Sequence, residues 1–343
     1  MMTTVLCGKT SAPTVDTPAG PRRSPSAFRP AWWLPGAHGQ TIWAALYRAA
    51  PSVPLTPERL ELPDGDFIDL GWTPETGPGL VVVLHGLEGS AHSAYALATL
   101  AAVRRHGWQG VVMHFRGCSG MPNRLPRSYH SGETGDLRFL IETLRARHPH
   151  LPLCAVGYSL GGNVLLKYLG ERGHLAGLAG AVAVSVPFEL DKAARRMERG
   201  FSRLYQWFLV GKLRAKTAQK FATMSSPIDL RRLGALHTFR AFDGAVTAPL
   251  HGFDSAEDYY ARSSSRQFLR AITVPTLIVH ASDDPFMTPD AVPTPAELAP
   301  SIHLDLQPHG GHVGFVAGSV PGRPHYWLDE RIPAFLKTVL PSR

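Results

Sequence analysis

Leu153-Cys154-Ala155-Val156-Gly157-Tyr158-Ser159-Leu160-Gly161-Gly162-Asn163-Val164-Leu165-Leu166-Lys167 is the stretch on which the reading of this chain turns. Its first four residues form an apolar run of strand character, and a helix-compatible run begins at Asn163. Strand, sharp turn and helix around Gly157-Tyr158-Ser159-Leu160-Gly161 is the context in which G-x-S-x-G presents a serine as a nucleophile. Such a turn demands backbone angles that an ordinary residue resists. Glycines on either side remove the Cβ atoms that would collide as strand and helix draw together. Ser159 is therefore expected at the carboxyl end of a strand, its hydroxyl exposed.

The flanking sequence repeats the alternation. Upstream, Leu80-Val81-Val82-Val83-Leu84 is apolar throughout, reads as a strand buried on both faces, and runs into His85-Gly86-Leu87-Glu88-Gly89-Ser90. A helix is expected over Ala94 to Arg105, a strand over Gly110 to Phe115 and a helix over Asp136 to Arg147. Arg59 to Pro63 and Phe67 to Trp72 alternate around Asp64-Gly65, a hairpin signal. Downstream, Leu178 to Val186, Pro275 to His280 and Ile302 to Leu306 read as strands, and Tyr326 to Leu340 as a closing helix. Alternating strands and helices predict an α/β fold with a mostly parallel central sheet flanked by helices.

Between Val186 and Pro275 the strands stop. Helical patterns at Ala193 to Phe208 and Ala256 to Ser263 predict a helical cap, inserted after the strand at 178–186 and covering about 187–270. The apolar residues Leu204, Trp207, Phe208, Leu209 and Val210 are read as an acyl-pocket wall, with packing on the sheet as the alternative. Arg195, Arg196 and Arg199 fall on the same expected helix. Residues 1–28, rich in Thr, Ser, Pro, Ala and Gly, read as a flexible tail, and 29–343 as one α/β domain. The three tryptophans Trp32, Trp33 and Trp43 are expected to pack on the main body.

Of 343 residues, 44% are hydrophobic and 18% charged, enough apolar material for a large core. The net charge of +8 raises the question of a nucleic-acid partner. Its basic stretches, Lys192 to Arg203 and Lys212 to Lys220, carry no nucleic-acid motif and read as solvated helix surface. Cys7, Cys118 and Cys154 make an odd count without C-x-x-C, so no disulfide framework or zinc site is expected. No run of about 18 apolar residues occurs, and the first residues lack the charged and apolar regions of a secretory signal. A cytoplasmic setting without membrane insertion is expected.

A serine hydroxyl attacks well only when a base takes its proton, and the base needs a partner that fixes its tautomer. An acid follows the strand ending at His280, in Ala281-Ser282-Asp283-Asp284-Pro285-Phe286. Histidines follow the next strand, in His309-Gly310-Gly311-His312-Val313-Gly314-Phe315. Both stretches lie beyond strand carboxyl ends, where sites in open α/β sheets collect. Asp-Asp-Pro alone is an ordinary turn signal, and sixteen His make loop histidines commonplace. Order, spacing and strand context together favour a catalytic set. Acyl transfer also needs oxyanion donors, expected at the backbone N–H groups of Leu160 and Leu87. His85 is read as structural. No metal or organic cofactor is called for.

Taken together, six stretches resemble the YheT-like branch of the α/β-hydrolase superfamily, whose eukaryotic relatives are abhydrolase-domain lipid hydrolases. They are His38-Gly39-Gln40-Thr41, His85 to Ser90, Phe115-Arg116-Gly117-Cys118-Ser119-Gly120, Gly157 to Asn163, Asp283 to Phe286 and Gly310 to Phe315. Phe242-Asp243 to Tyr259-Tyr260 is similar as well. His114 is a departure, standing before Phe115 where the family usually has Asn. The resemblance implies an α/β-hydrolase fold and carboxylic-ester hydrolysis by Ser159, Asp284 and His312. Asp284 rather than Asp283 is selected because the acid of related hydrolases commonly sits immediately before Pro. A small-molecule ester or lipid-like substrate is implied. An acyltransferase to an alcohol, or a silent binding protein on the same scaffold, are the alternatives.

Overall fold

Residues 28–341 are described by the computed structural model; the tail expected over 1–28 lies outside the described residues except for Phe28. Phe28 is buried, its ring against Phe315 and Trp327.

Eight strands form the main sheet among the described residues: β1 Thr56–Glu61, β2 Phe67–Trp72, β3 Leu80–Leu84, β4 Gln109–Met113, β5 Leu153–Tyr158, β6 Gly180–Val184, β7 Thr276–Ala281 and β8 Ile302–Gln307. The order is β1-β2-β4-β3-β5-β6-β7-β8. The β1–β2 hairpin and the β2–β4 pair are antiparallel, and every later pair is parallel. β3, β5, β6 and β7 are buried along their whole length, as their unbroken apolar runs require.

The helices are α1 Gly36–Leu46, α2 Ala94–Arg105, α3 Gly135–Arg147, α4 Leu160–Arg172, α5 Leu190–Met197, α6 Ser202–Lys220, α7 Phe239–Phe242, α8 Ala248–His251, α9 Ala256–Ser263 and α10 Leu328–Leu336. Strand side chains alternate between the two faces, and the helices divide accordingly. Leu80, Val82 and Leu84 of β3 pack with α3 and α4, whereas Val81 and Val83 pack with α2 and α10.

From 187 to 275, all of it described, the chain carries helices and turns and no strand. The helix expected from Ala193 to Phe208 is two helices. Gly200, at φ 53°, turns the chain between α5 and α6, and that positive φ cannot continue a right-handed helix. α7 and α8 are joined by a π-helical turn, Asp243–Thr247. α1 is a helix that no local sequence pattern marks. It contains two glycines, and contacts far away in sequence hold it.

One buried charge cluster braces the end of the sheet that carries the β4 loop. The Arg116 guanidinium donates to both oxygens of Asp136 in α3 at 2.7 and 2.6 Å, and to Asp64 and Asp66 of the hairpin turn at 2.8 and 2.9 Å. The Arg116 side chain is 2% exposed, Asp66 0% and Asp136 4%. Arg116→Ala would strand two buried carboxylates, so a loss of about 3–5 kcal/mol is expected in urea unfolding. A loss below about 1 kcal/mol would mean that the cluster is not a structural brace.

Candidate active site

Ser159 sits at the turn from β5 into α4 with φ 50° and ψ −115°, outside the ordinary right-handed regions. Gly161 makes the turn possible. A Cβ there would lie 2.6 Å from the carbonyl oxygens of both Leu84 and His85, so only glycine lets α4 approach the end of β3.

Three side chains predicted from the sequence come together here. The His312 Nδ1–H donates to Asp284 Oδ2 at 2.8 Å, and His312 Nε2 lies 2.9 Å from Ser159 Oγ. A carboxylate only accepts, so it fixes the proton on Nδ1 and leaves Nε2 free to accept from the Ser159 hydroxyl. Asp284 is almost wholly buried, and its other oxygen accepts the Phe286 N–H at 2.9 Å. The Phe286 ring stacks on the imidazole, centroids 3.9 Å apart and planes 6° from parallel. Asp283 faces elsewhere. It accepts the Gly311 N–H at 2.9 Å and lies 3.3 Å from His309 Nδ1, so it braces the loop that carries His312.

The loop from Gly310 to Phe315 is held by α1. Gln40 is buried and clamps Val316 twice, donating to its carbonyl at 3.0 Å and accepting its N–H at 2.7 Å. Thr41 Oγ1 accepts the His312 backbone N–H at 2.9 Å. Gly311, at φ 59°, admits α1: a Cβ there would meet the Ala37 carbonyl oxygen at 2.5 Å. In the sequence, Gln40 and Thr41 carry one signal of a role, the His38-Gly39-Gln40-Thr41 motif.

Leu87 and Leu160, the expected oxyanion donors, both line the same cavity as Ser159. Neither backbone N–H has a hydrogen-bond acceptor among the described residues. Their neighbours are engaged: Gly86 N–H donates to the Tyr95 hydroxyl and Glu88 N–H to the Tyr129 hydroxyl. His85 is fully buried, and burial pushes its imidazole down to about 3. Its Nδ1–H donates to the Gly86 carbonyl and its Nε2 accepts from the Phe115 N–H, so it shapes the loop as a neutral ring. Glu88, Ser159, Ser185, Val313 and Phe315 are the non-glycine residues with positive φ among the described residues. All lie in loops at the carboxyl ends of strands around the serine, where strained backbone collects at working sites.

The cavity measures about 690 Å³ and lies between the sheet's carboxyl edge and the cap. Its apolar wall comes from Leu190, Ala194, Met197, Phe239, Phe242 and Val246. The wall expected from α6 is mostly elsewhere. Leu209 lines the cavity and Val210 is buried in the cap's own core, but Leu204, Trp207 and Phe208 face solvent. The opposite wall is polar: Lys216 of α6 donates to Glu88 at 3.0 Å, tying the cap to the loop that carries Leu87. Burial pushes the adjoining Cys118 thiol up to about 11 and pulls Lys220 down to about 8. Asn163 braces the cap from α4, donating to the carbonyls of Ser131 and Ser263 at 2.8 Å each.

A family model described as the alpha/beta hydrolase fold matches residues 79–319. The chain is 44% identical over 335 residues to YheT of Escherichia coli (strain K12), covering 95% of this chain and 98% of that protein. It is 27% identical over 325 residues to phospholipase ABHD3 of Homo sapiens, covering 91% and 79% respectively. Among solved structures, the Pyrococcus furiosus esterase Pf2001 aligns with a TM-score of 0.55 at 15% identity, covering 84% of this chain and 92% of that one, a likeness of fold. With this sheet, this serine turn and these relatives, the chain belongs to the α/β-hydrolase superfamily, in the branch that contains YheT.

Proposed function

We propose that the protein is a serine hydrolase that cleaves carboxylic esters of short to medium acyl chains through an acyl-enzyme. The observation that carries this reading is the hydrogen-bonded series Asp284–His312–Ser159, opening beside two unengaged N–H groups into a cavity with one apolar wall. In this reading Ser159 Oγ attacks the ester carbonyl while His312 Nε2 takes its proton, and Asp284 stabilises the resulting imidazolium. The N–H groups of Leu87 and Leu160 receive the oxyanion, a contribution of roughly 3 kcal/mol per well-placed donor. His312 then protonates the departing alcohol. It next deprotonates a water, whose attack releases the acid and restores Ser159.

A lipid-like ester suits the cavity, and the name of the ABHD3 relative points to lipid esters for that protein. Among the described residues no helix is long and apolar enough to cross a membrane. We take the setting to be cytoplasmic, which suits the free thiols of Cys118 and Cys154.

An acyl series of activated esters, acetyl to octanoyl, tests both reaction and substrate class with the purified protein. Each methylene entering the cavity should add about 0.8 kcal/mol, so kcat/KM should rise about fourfold per methylene until the cavity fills. Absence of turnover across the series would remove the hydrolase reading. Turnover with a flat response would remove the acyl-pocket assignment alone.

A further inference from the structure

We propose that the outer face of α6 docks the protein onto the surface of an anionic lipid bilayer. Phe201, Leu204, Trp207 and Phe208 are 48%, 52%, 67% and 53% exposed. At 3.6 residues per turn they share one arc of roughly 120° of the helix surface. Arg203 borders that arc on one side and Lys212 on the other, the Lys212 ammonium lying 4.7 Å from the centre of the Phe208 ring. Arg196 and Arg199 add charge where α5 hands over to α6.

Charge decides what the face fits. Nearby Arg195 and Arg240 are neutralised by Asp191. Arg196, Arg199, Arg203 and Lys212 make no salt bridge among the described residues. From 196 to 212 the sequence sets these four cations against one carboxylate, Glu198. A bilayer with anionic headgroups meets both needs at once. Aromatic and aliphatic side chains settle at the boundary of headgroup and acyl chain, while flanking Arg and Lys reach the headgroups. Lys212 is exposed and also lines the cavity, as does Leu209, so the cavity meets the surface at the edge of this face. A lipid-like molecule leaving the bilayer would enter there.

Co-sedimentation of the full-length protein with vesicles tests this, using phosphatidylcholine alone and phosphatidylcholine with ~30% phosphatidylglycerol. Binding should be confined to the anionic vesicles and should weaken as salt rises. The double variant Trp207→Ser/Phe208→Ser and the charge variant Arg199→Glu/Arg203→Glu should each bind at least about tenfold more weakly. Both change exposed side chains, and unchanged melting temperatures would show them folded. Equal binding to neutral vesicles, or undiminished binding by both variants, overturns the proposal. So does a stable dimer, formed without vesicles and lost in the double variant, which would assign the face to a second copy. The readout is binding rather than turnover, so failure here is distinct from failure of the ester-hydrolysis reading.

Discussion

Replacing Ser159 with Ala is expected to lower kcat on an activated ester by about six powers of ten while leaving the protein folded. The size follows from the geometry. Ser159 Oγ is the hydroxyl that His312 Nε2 reaches at 2.9 Å, and in the proposed mechanism it alone forms the acyl bond. In the proposed mechanism, residual turnover would come from the N–H groups of Leu87 and Leu160 acting on water attack. Alanine keeps a Cβ in the same strained turn, with φ 50°, and removes one partly buried hydroxyl. The melting temperature should therefore move by no more than a few degrees. A fluorophosphonate probe should label wild-type protein on the peptide that contains Ser159, and should not label the variant. Undiminished labelling of the variant would overturn the assignment of Ser159.

The second large effect separates two adjacent acids. Asp284→Asn is expected to cost about four powers of ten in kcat. Asp284 accepts two hydrogen bonds, from His312 Nδ1–H on one oxygen and from the Phe286 N–H on the other. Asparagine has one acceptor oxygen and one amide donor. If the oxygen stays with Phe286, the amide NH2 faces Nδ1, and the imidazole proton must move to Nε2, where it blocks acceptance from Ser159. If the amide flips, the Phe286 N–H loses its partner and the imidazolium loses its counter-charge. Asp283→Asn keeps an acceptor for the Gly311 N–H, its main contact. Its kcat should stay within about tenfold, with a melting temperature lowered by a few degrees. Measuring kcat and Tm for both variants checks this; if Asp283→Asn is the inactive one, the orienting acid lies one residue earlier.

Much of this arrangement is legible in one dimension because its signals are local. β3, β5, β6 and β7 are strands without exposed faces, so each is written as an unbroken apolar run. Ser159, Asp284 and His312 each follow such a run or its neighbour, and the structure brings these three within hydrogen-bond distance. What escaped local reading depends on long-range contacts. α1 carries Gly36 and Gly39, a poor helical sequence, and is held through Gln40 and Thr41 to residues more than 270 positions away. In the cap, periodicity marks Leu204, Trp207 and Phe208 as one face of a helix. It does not say whether that face meets the cavity or the solvent. The cavity wall from Phe239 to Val246 lies on short helices joined by a π-helical turn, too irregular for a 3.6-residue pattern.

The clamp between Gln40 and Val316 also ties the beginning of the described chain to its end. The loop that carries His312 is held by α1 through contacts that span 271 and 276 positions. Without α1, the His312 N–H and both backbone groups of Val316 would lose these partners. In the proposed mechanism, activation of Ser159 would thus depend on α1 and the carboxyl-terminal loop being present together.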